Sequence, residues 1–260
     1  MDNHSSSAVA NDEFLCSLKR RLVSCKAFIF DFYGTLVEMD YEPPQMWETL
    51  TKMGYQSHPE LQATFEADGF DGCLTPSSFS SPNYEEWKRD NLRQFVMLCG
   101  VPRELVETVI SRLLEIESQA TKKAAPGAIS LLKLLRSYDK KIGLCSNWDF
   151  GIQPFLDQAG LPEFDAITVS AEIGARKPHI LMFRDICAKL EIQPDEAAFI
   201  GDNWAADVRG ALRAGLLPVW IRHDQLPGPL NNQVIEFDSL VDFEAECEKI
   251  FSSEQSLTRV

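Results

Sequence analysis

Paired cysteines are missing from this chain. Seven cysteines lie scattered at positions 16, 25, 73, 99, 145, 187 and 247, and no two stand in a CxxC arrangement. An odd number without paired spacing argues against a disulfide framework or a cysteine zinc site, and for reduced thiols in a cytoplasmic protein. Long apolar runs are also absent: no stretch of about eighteen apolar residues occurs, so no membrane span is expected. The N-terminus has no basic start followed by an apolar core, so no secretory leader is expected. Positive charge is short, with 25 Lys and Arg against 39 Asp and Glu and a formal net charge of −14. That balance argues against nucleic acid or an anionic membrane surface as the main partner. A small anionic substrate stays open, because a local pocket can be positive on an acidic protein. No internal repeat is found.

Hydrophobic residues make up 45% of the 260 residues, enough for a substantial core in one large domain or a domain with an insert. The most informative stretch is Ala27 to Val37, AFIFDFYGTLV. Phe28, Ile29 and Phe30 make a short apolar run that suits a buried strand, Asp31 ends it, Gly34 allows a turn and Thr35 adds a hydroxyl. A carboxylate at the carboxyl end of a buried strand sits where open α/β sheets bind ligands. It can serve as nucleophile, base or metal ligand, or merely cap the turn.

Before this strand, residues 1–12 read as a polar tail and Glu13 to Ser24 as a short helix. After it, Tyr41 to Thr121 shows helical patterning and no convincing strand. Pro43-Pro44 opens a helix carrying Met46, Trp47, Leu50 and Met53, Asp68 to Pro82 reads as a loop, and two amphipathic runs follow over Tyr84 to Cys99 and Pro102 to Ala120. This is a helical insert of roughly 80 residues, within the size range of a small domain. From Pro126 the chain alternates. Strands are predicted at Lys141 to Cys145, Ala166 to Val169, Ala197 to Ile200 and Leu217 to Ile221. Helices are predicted at Ile129 to Tyr138, Gly151 to Gly160, His179 to Leu190 and Ala205 to Ala214, with a closing helix at Asp238 to Phe251. Such alternation predicts an α/β fold, a doubly wound parallel-sheet core with an inserted all-helical cap. The expected division is a tail and short helix over 1–24, a core over 25–40 and 122–260, and a cap over 41–121.

Each predicted strand that matters ends in polar residues: Asp31 with Thr35, then Ser146-Asn147, then Gly201-Asp202-Asn203 with Asp207 one helical turn on. Lys177 precedes a helix. Parallel neighbouring strands would converge these groups at one end of the sheet. Asp31, Asp202 and Asp207 would repel one another unless a cation lay between them, and hard oxygen ligands favour Mg²⁺. Thr35, Ser146 and Lys177 would supply donors to a tetrahedral anion. Singly, each piece also reads as a turn, a cap or a solvated helix start.

Together, DFYGTL, LCSN, the Lys of ARKP and GDNWAAD resemble the four motifs of the haloacid dehalogenase (HAD) superfamily of hydrolases, over about Cys25 to His223. The resemblance implies a HAD/Rossmann-like core and a hydrolase working through a covalent aspartyl intermediate on Asp31. It implies catalytic and substrate-binding roles for Thr35, Ser146, Asn147 and Lys177, with Tyr33 beside the substrate. The implied metal set is Asp31, Tyr33, Asp202 and Asp207 with Mg²⁺, and the helical insert becomes a lid.

The pattern breaks at Tyr33, where phosphatases of the superfamily usually carry a second Asp that protonates the leaving alkoxide. Such a proton transfer is worth about 10²–10⁴-fold, and tyrosine is a weak acid for it. The D-x-Y-G-T form instead resembles 2-haloacid dehalogenases, which need neither that acid nor a metal. Asp202 points back to a metal site, and no Arg lies between Asp31 and Arg89 to take a halide, leaving Arg89 and Arg93 as late candidates. The first reading is therefore a Mg²⁺-dependent phosphatase of a small phosphorylated metabolite. The alternatives are a dehalogenase-type hydrolase using the same Asp without metal, and a HAD-like binding or regulatory module. His179 is read as a first-turn helix residue, Asp149 as a helix cap, and Trp148 and Trp204 as cleft or core residues. Monomer and homodimer both remain open.

Overall fold

The computed structural model describes residues 20–56, 81–223 and 233–258. Expectations for the tail at 1–12 and most of the loop at 68–82 lie outside these residues, as does the first part of the predicted N-terminal helix, of which residues 20–24 are helical.

The core is a six-stranded sheet. Its strands are β1 (Ala27–Phe30), β4 (Lys141–Ser146), β5 (Ala166–Val169), β6 (Ala197–Gly201), β7 (Leu217–Ile221) and β8 (Ile235–Phe237), in the order β5-β4-β1-β6-β7-β8. Every adjacent pair is parallel. A parallel strand covered on both faces is expected to be apolar throughout, and all four residues of β1 are buried. Their side chains alternate between faces. Phe28 and Phe30 belong to one core with residues of α4 (Ala128–Ser137), α5 (Gln153–Gln158) and α9 (Leu240–Thr258). Past the short α6 (Ser170–Ile173), Ala27 and Ile29 belong to a second core with α7 (Ile180–Lys189) and α8 (Arg209–Ala214). The sheet is thus wound on both sides, and the order of connection reverses at β1. That reversal opens a crevice beyond the carboxyl ends of β4, β1 and β6.

Between β2 (Val37–Tyr41) and β3 (Thr121–Ala124) lies a helical block of α1 (Met46–Lys52), α2 (Ser81–Leu98) and α3 (Val106–Glu117). It carries its own apolar cluster around Leu50, Phe95, Val96, Cys99, Ile110 and Leu113.

The expected order of helices and strands is observed from Ala27 onward, with differences at specific places. β2 and β3 form an antiparallel pair at the two ends of the block, where no strand was anticipated. Their sequences, VEMDY and TKKA, are short and mostly polar, and Lys123 pairs with Glu38 and Asp40 across them. β8 was also not anticipated, because three residues give no readable period. The helix expected from Ala205 begins as a π-turn at Trp204–Val208. The helix of the block starts at Ser81, inside the predicted loop, and the closing helix runs on to Thr258.

Candidate active site

Register brings the site together. Phe30 lies opposite both Leu144 and Ile200. One residue on, Asp31 is level with Cys145 and Gly201, and Ser146 and Asp202 follow directly. The backbone N–H of Asp31 still donates to Ile200 O at 2.9 Å, which extends the ladder by one bond and fixes the carboxylate at the rim.

Asp31 Oδ1 accepts from Ser146 Oγ at 3.0 Å and from Lys177 Nζ at 2.6 Å. Lys177 Nζ also donates to Asp207 Oδ1 at 2.6 Å, and lysine and aspartate are only 2% and 1% exposed. A buried ion pair of this kind holds only when every member has its partners. The backbone of Lys177 is held as well. Its N–H donates to Asn147 Oδ1 at 2.7 Å, and its carbonyl accepts from Asn147 Nδ2 at 3.1 Å. Asn147, expected to touch substrate, thus uses both atoms of its side-chain amide on the Lys177 backbone.

Thr35 Oγ1 donates to Asp202 Oδ1 at 3.0 Å, and Asn203 N donates to Asp207 Oδ2 at 3.0 Å. Carboxylate oxygens of Asp31, Asp202 and Asp207 lie within 4.8 Å of one another. Burial first, and then the neighbouring charge of Asp31, raises the Asp202 carboxyl above the ordinary range. Burial likewise raises Asp207 despite the opposing pull of Lys177. These are the donor type and charge surplus that a divalent cation satisfies, so the residues present fit a bound Mg²⁺.

A group raised in the folded state contributes stability that is present below its unfolded pKa and lost as the pH rises. Protein stripped of divalent cation should therefore lose thermal stability as pH climbs above about 4 toward neutrality. Asp207→Asn should flatten that loss, as read by melting curves in EDTA across pH.

Two glycines shape the crevice. Gly34 has φ +84°, and a Cβ there would stand 2.5–2.8 Å from the Asp202 carboxylate. Gly34→Ala therefore combines left-handed strain of about 1–2 kcal/mol with displacement of Asp202. Urea unfolding should register the strain, and cation binding should weaken beyond what the strain alone explains. At Gly201 a Cβ would meet Asp207 Cγ at 2.4 Å, so that position also excludes any side chain.

The structure adds supports that were not read from the sequence. Trp220 Nε1 donates to Asp202 O at 2.8 Å, with Trp204 edge-on behind it at 4.9 Å between ring centroids. His223 Nε2 donates to Gly34 O at 2.7 Å. Both follow from β7 lying beside β6, a neighbour relation that no local pattern reveals. Trp204 thus packs against Trp220. Trp148 lines a cleft of about 620 Å³ that Asn147 and Asp149 also border, facing the helical block. Asp149 pairs with Lys88 of α2 at 2.5 Å, and the N-cap position of α5 is Ile152, which supplies no side-chain cap. His179 is the N-cap of α7, its Nδ1 accepting from Leu181 N at 3.3 Å.

Tyr33 is 46% exposed, and burial together with Glu42 and Asp202 raises its hydroxyl above the ordinary tyrosine range. The environment makes it a weaker acid still. Arg89 and Arg93 both pair with Glu107 on the surface of the helical block.

The family described as haloacid dehalogenase-like hydrolase matches residues 25–215. Pyrimidine 5'-nucleotidase YjjG of Escherichia coli (strain K12) is 28% identical over 201 residues, 75% of this chain and 80% of that protein. Among solved structures, a HAD phosphatase from Thermococcus onnurineus aligns with a TM-score of 0.56 at 23% identity, over 85% of this chain and 96% of its own. A 2-haloacid dehalogenase from Pseudomonas syringae pv. Tomato DC3000 aligns with a TM-score of 0.54 at 15% identity, over 86% and 99%. At such identities the structural likeness is one of fold alone.

Proposed function

The chain belongs to the haloacid dehalogenase-like hydrolase family, and on that premise we propose that it is a Mg²⁺-dependent phosphatase of small phosphate monoesters, using Asp31 as nucleophile. The observation that carries this reading is the cluster of Asp31, Asp202 and Asp207 with oxygens within 4.8 Å, tied to a single lysine. With all four groups ionised the cluster bears a net charge of about −2, which would repel a phosphate dianion. A divalent cation removes that surplus. A metal-free displacement on carbon has no use for Asp202 or for the Thr35 bond that orients it. The nucleotidase relative supports phosphate ester hydrolysis, and pyrimidine nucleotides belong among the esters to be tried.

Both side-chain donors to Asp31 go to Oδ1, which leaves Oδ2 to attack phosphorus. The Oδ2–P bond forms as the bond from phosphorus to the leaving oxygen breaks, and the products are an aspartyl phosphate on Asp31 and an alkoxide or phenolate that takes its proton from solvent water. Water then attacks phosphorus, the P–Oδ2 bond breaks, and inorganic phosphate and the free carboxylate return. Lys177 and Ser146 hold Oδ1, and Lys177, which has one N–H left beyond its bonds to Asp31 and Asp207, presents that donor to the equatorial phosphoryl oxygens. Asn147 keeps Lys177 in place. Asp31, Asp202 and Asp207 would hold Mg²⁺, and Tyr33 with its flanking turn borders it. Bound there, the ion supplies charge neutralisation on the transferring group. The helical block, joined through β2 and β3, serves as the lid over the crevice.

Tyr33 sets the leaving-group dependence. With no carboxylic acid at that position, phosphoryl transfer leans on the acidity of the departing oxygen. Hydrolysis of p-nitrophenyl phosphate should exceed that of simple alkyl phosphates by about 10²-fold or more. Tyr33→Asp should narrow the gap by raising the alkyl rate. Phosphate release should disappear in EDTA and return with Mg²⁺. Halide release from 2-chloropropionate without metal, in the absence of phosphate release, would overturn the reading. The pairing of Arg89 and Arg93 with Glu107 weighs against that alternative, because it occupies the cationic side chains a halide would need.

A further inference from the structure

The cleft between the helical block and the loop after β4 has chemistry that catalysis at Asp31 does not use. Its walls include Met39, Met46, Leu113, Trp148 and Phe155, and Asn147 connects it to the catalytic end. Its volume of about 620 Å³ is in the range of small-molecule sites, which run from about 300 to 1,000 Å³. Into this apolar wall projects Lys122 of β3. Its ammonium stands 5.1 Å from the Trp148 ring centroid and 4.9 Å from that of Phe155. Among the described residues no carboxylate lies within ion-pair distance of Lys122, whereas Lys88, on the same cleft, is paired with Asp149. Burial lowers the Lys122 pKa, and the charge of Glu117 only partly opposes this. An ammonium balanced mainly by π faces retains N–H donors for an acceptor.

The charge of the lining narrows the choice of acceptor. Glu42, Glu117 and Asp149 outnumber Lys88 and Lys122, so a second anionic group would enter against a negative field. A neutral acceptor would not. The aromatic and thioether wall favours a flat, apolar body over a hydrated polyol.

We propose that this cleft receives the leaving group of the substrate and selects a neutral planar ring bearing a carbonyl acceptor, packed against Trp148 and hydrogen-bonded by Lys122. The assignment rests on the phosphatase reading for the position of the phosphate and specifies the organic part of the substrate.

Uridine 5'-monophosphate and ribose 5-phosphate test it, because both release a primary alkoxide and differ in the ring. The wild-type protein should favour the nucleotide in kcat/KM by at least about 10-fold, mostly through KM. Lys122→Met and Trp148→Leu should each bring the ratio of the two substrates toward unity, and Lys122→Arg should retain most of it. Equal kcat/KM for both substrates in the wild type, or a ratio that neither substitution moves, overturns the inference. Uridine alone supplies a readout without turnover: it should quench tryptophan fluorescence, and Trp148→Leu should abolish that quench. No quench at millimolar uridine, with p-nitrophenyl phosphate still hydrolysed, rejects the ring-selective cleft and leaves the phosphatase reading standing. Quenching without phosphate release from any ester in Mg²⁺ rejects the phosphatase reading and keeps the cleft's selectivity for the ring.

Discussion

Asp31→Asn should lower kcat for p-nitrophenyl phosphate by at least about 10⁴-fold while leaving the protein folded and close to wild-type stability. The two expectations have separate causes. The activity loss follows from replacing the attacking carboxylate by an amide, which has no nucleophilic oxygen anion. The retained stability follows from geometry. Asn offers an Oδ1 in the same place, so the bonds from Ser146 and Lys177 persist. Removing one negative charge also relieves repulsion with Asp202 and Asp207, both of which are raised in part by Asp31. Residual turnover near the wild-type rate would place the nucleophile elsewhere. Loss of activity accompanied by unfolding would make Asp31 a structural group instead.

Lys177→Met is the second large effect, and it falls on stability as well as on turnover. Lys177 is the cation that Asp31 and Asp207 share at 2.6 Å each. Truncating one member of a buried ion cluster leaves the others unpaired and costs roughly 3–5 kcal/mol. For a chain of this size each kcal/mol moves the melting temperature by about 2–4 °C, so a drop on the order of 10 °C is expected in EDTA. Mg²⁺ should recover more of the melting temperature in Lys177→Met than in the wild type, because it restores positive charge where the lysine removed it. Turnover should not recover, since the ion cannot replace the donor that Lys177 presents to Asp31 and the phosphoryl oxygens. A melting temperature in EDTA unchanged by the substitution would contradict the buried cluster as described.

The contrast between these two variants shows why the carboxylates were readable in the sequence and their support was not. Asp31, Ser146 and Asp202 each follow an apolar run, and a parallel sheet puts such positions at one rim whatever the strand order. Lys177 lies on a connection and Asp207 in the π-turn that begins a helix, but their motifs gave them away. The double bond from Asn147 to the Lys177 backbone depends on how two loops meet in space. The bond from Trp220 to Asp202 requires β7 to sit beside β6. Neither leaves a period or spacing to read. β2 and β3 escaped for a different reason: they bury little, form a two-stranded sheet apart from the main one, and are rich in charge. Lys122 escaped with them, since an exposed-looking TKKA gives no sign that one lysine faces Trp148 and Phe155. Tyr33 could be recognised as the departure from the phosphatase pattern. Only the structure shows that its hydroxyl is raised by burial and by Glu42 and Asp202.

Asp31 should become phosphorylated during turnover. Protein quenched while hydrolysing p-nitrophenyl phosphate in Mg²⁺, then reduced with borohydride and mapped by peptide mass spectrometry, tests it directly. An acyl phosphate is reduced to the alcohol, so homoserine should appear at position 31, should be absent when EDTA replaces Mg²⁺, and should appear at no other aspartate. Steady phosphate release with an unmodified residue 31, or with the label on a different carboxylate, would contradict the account.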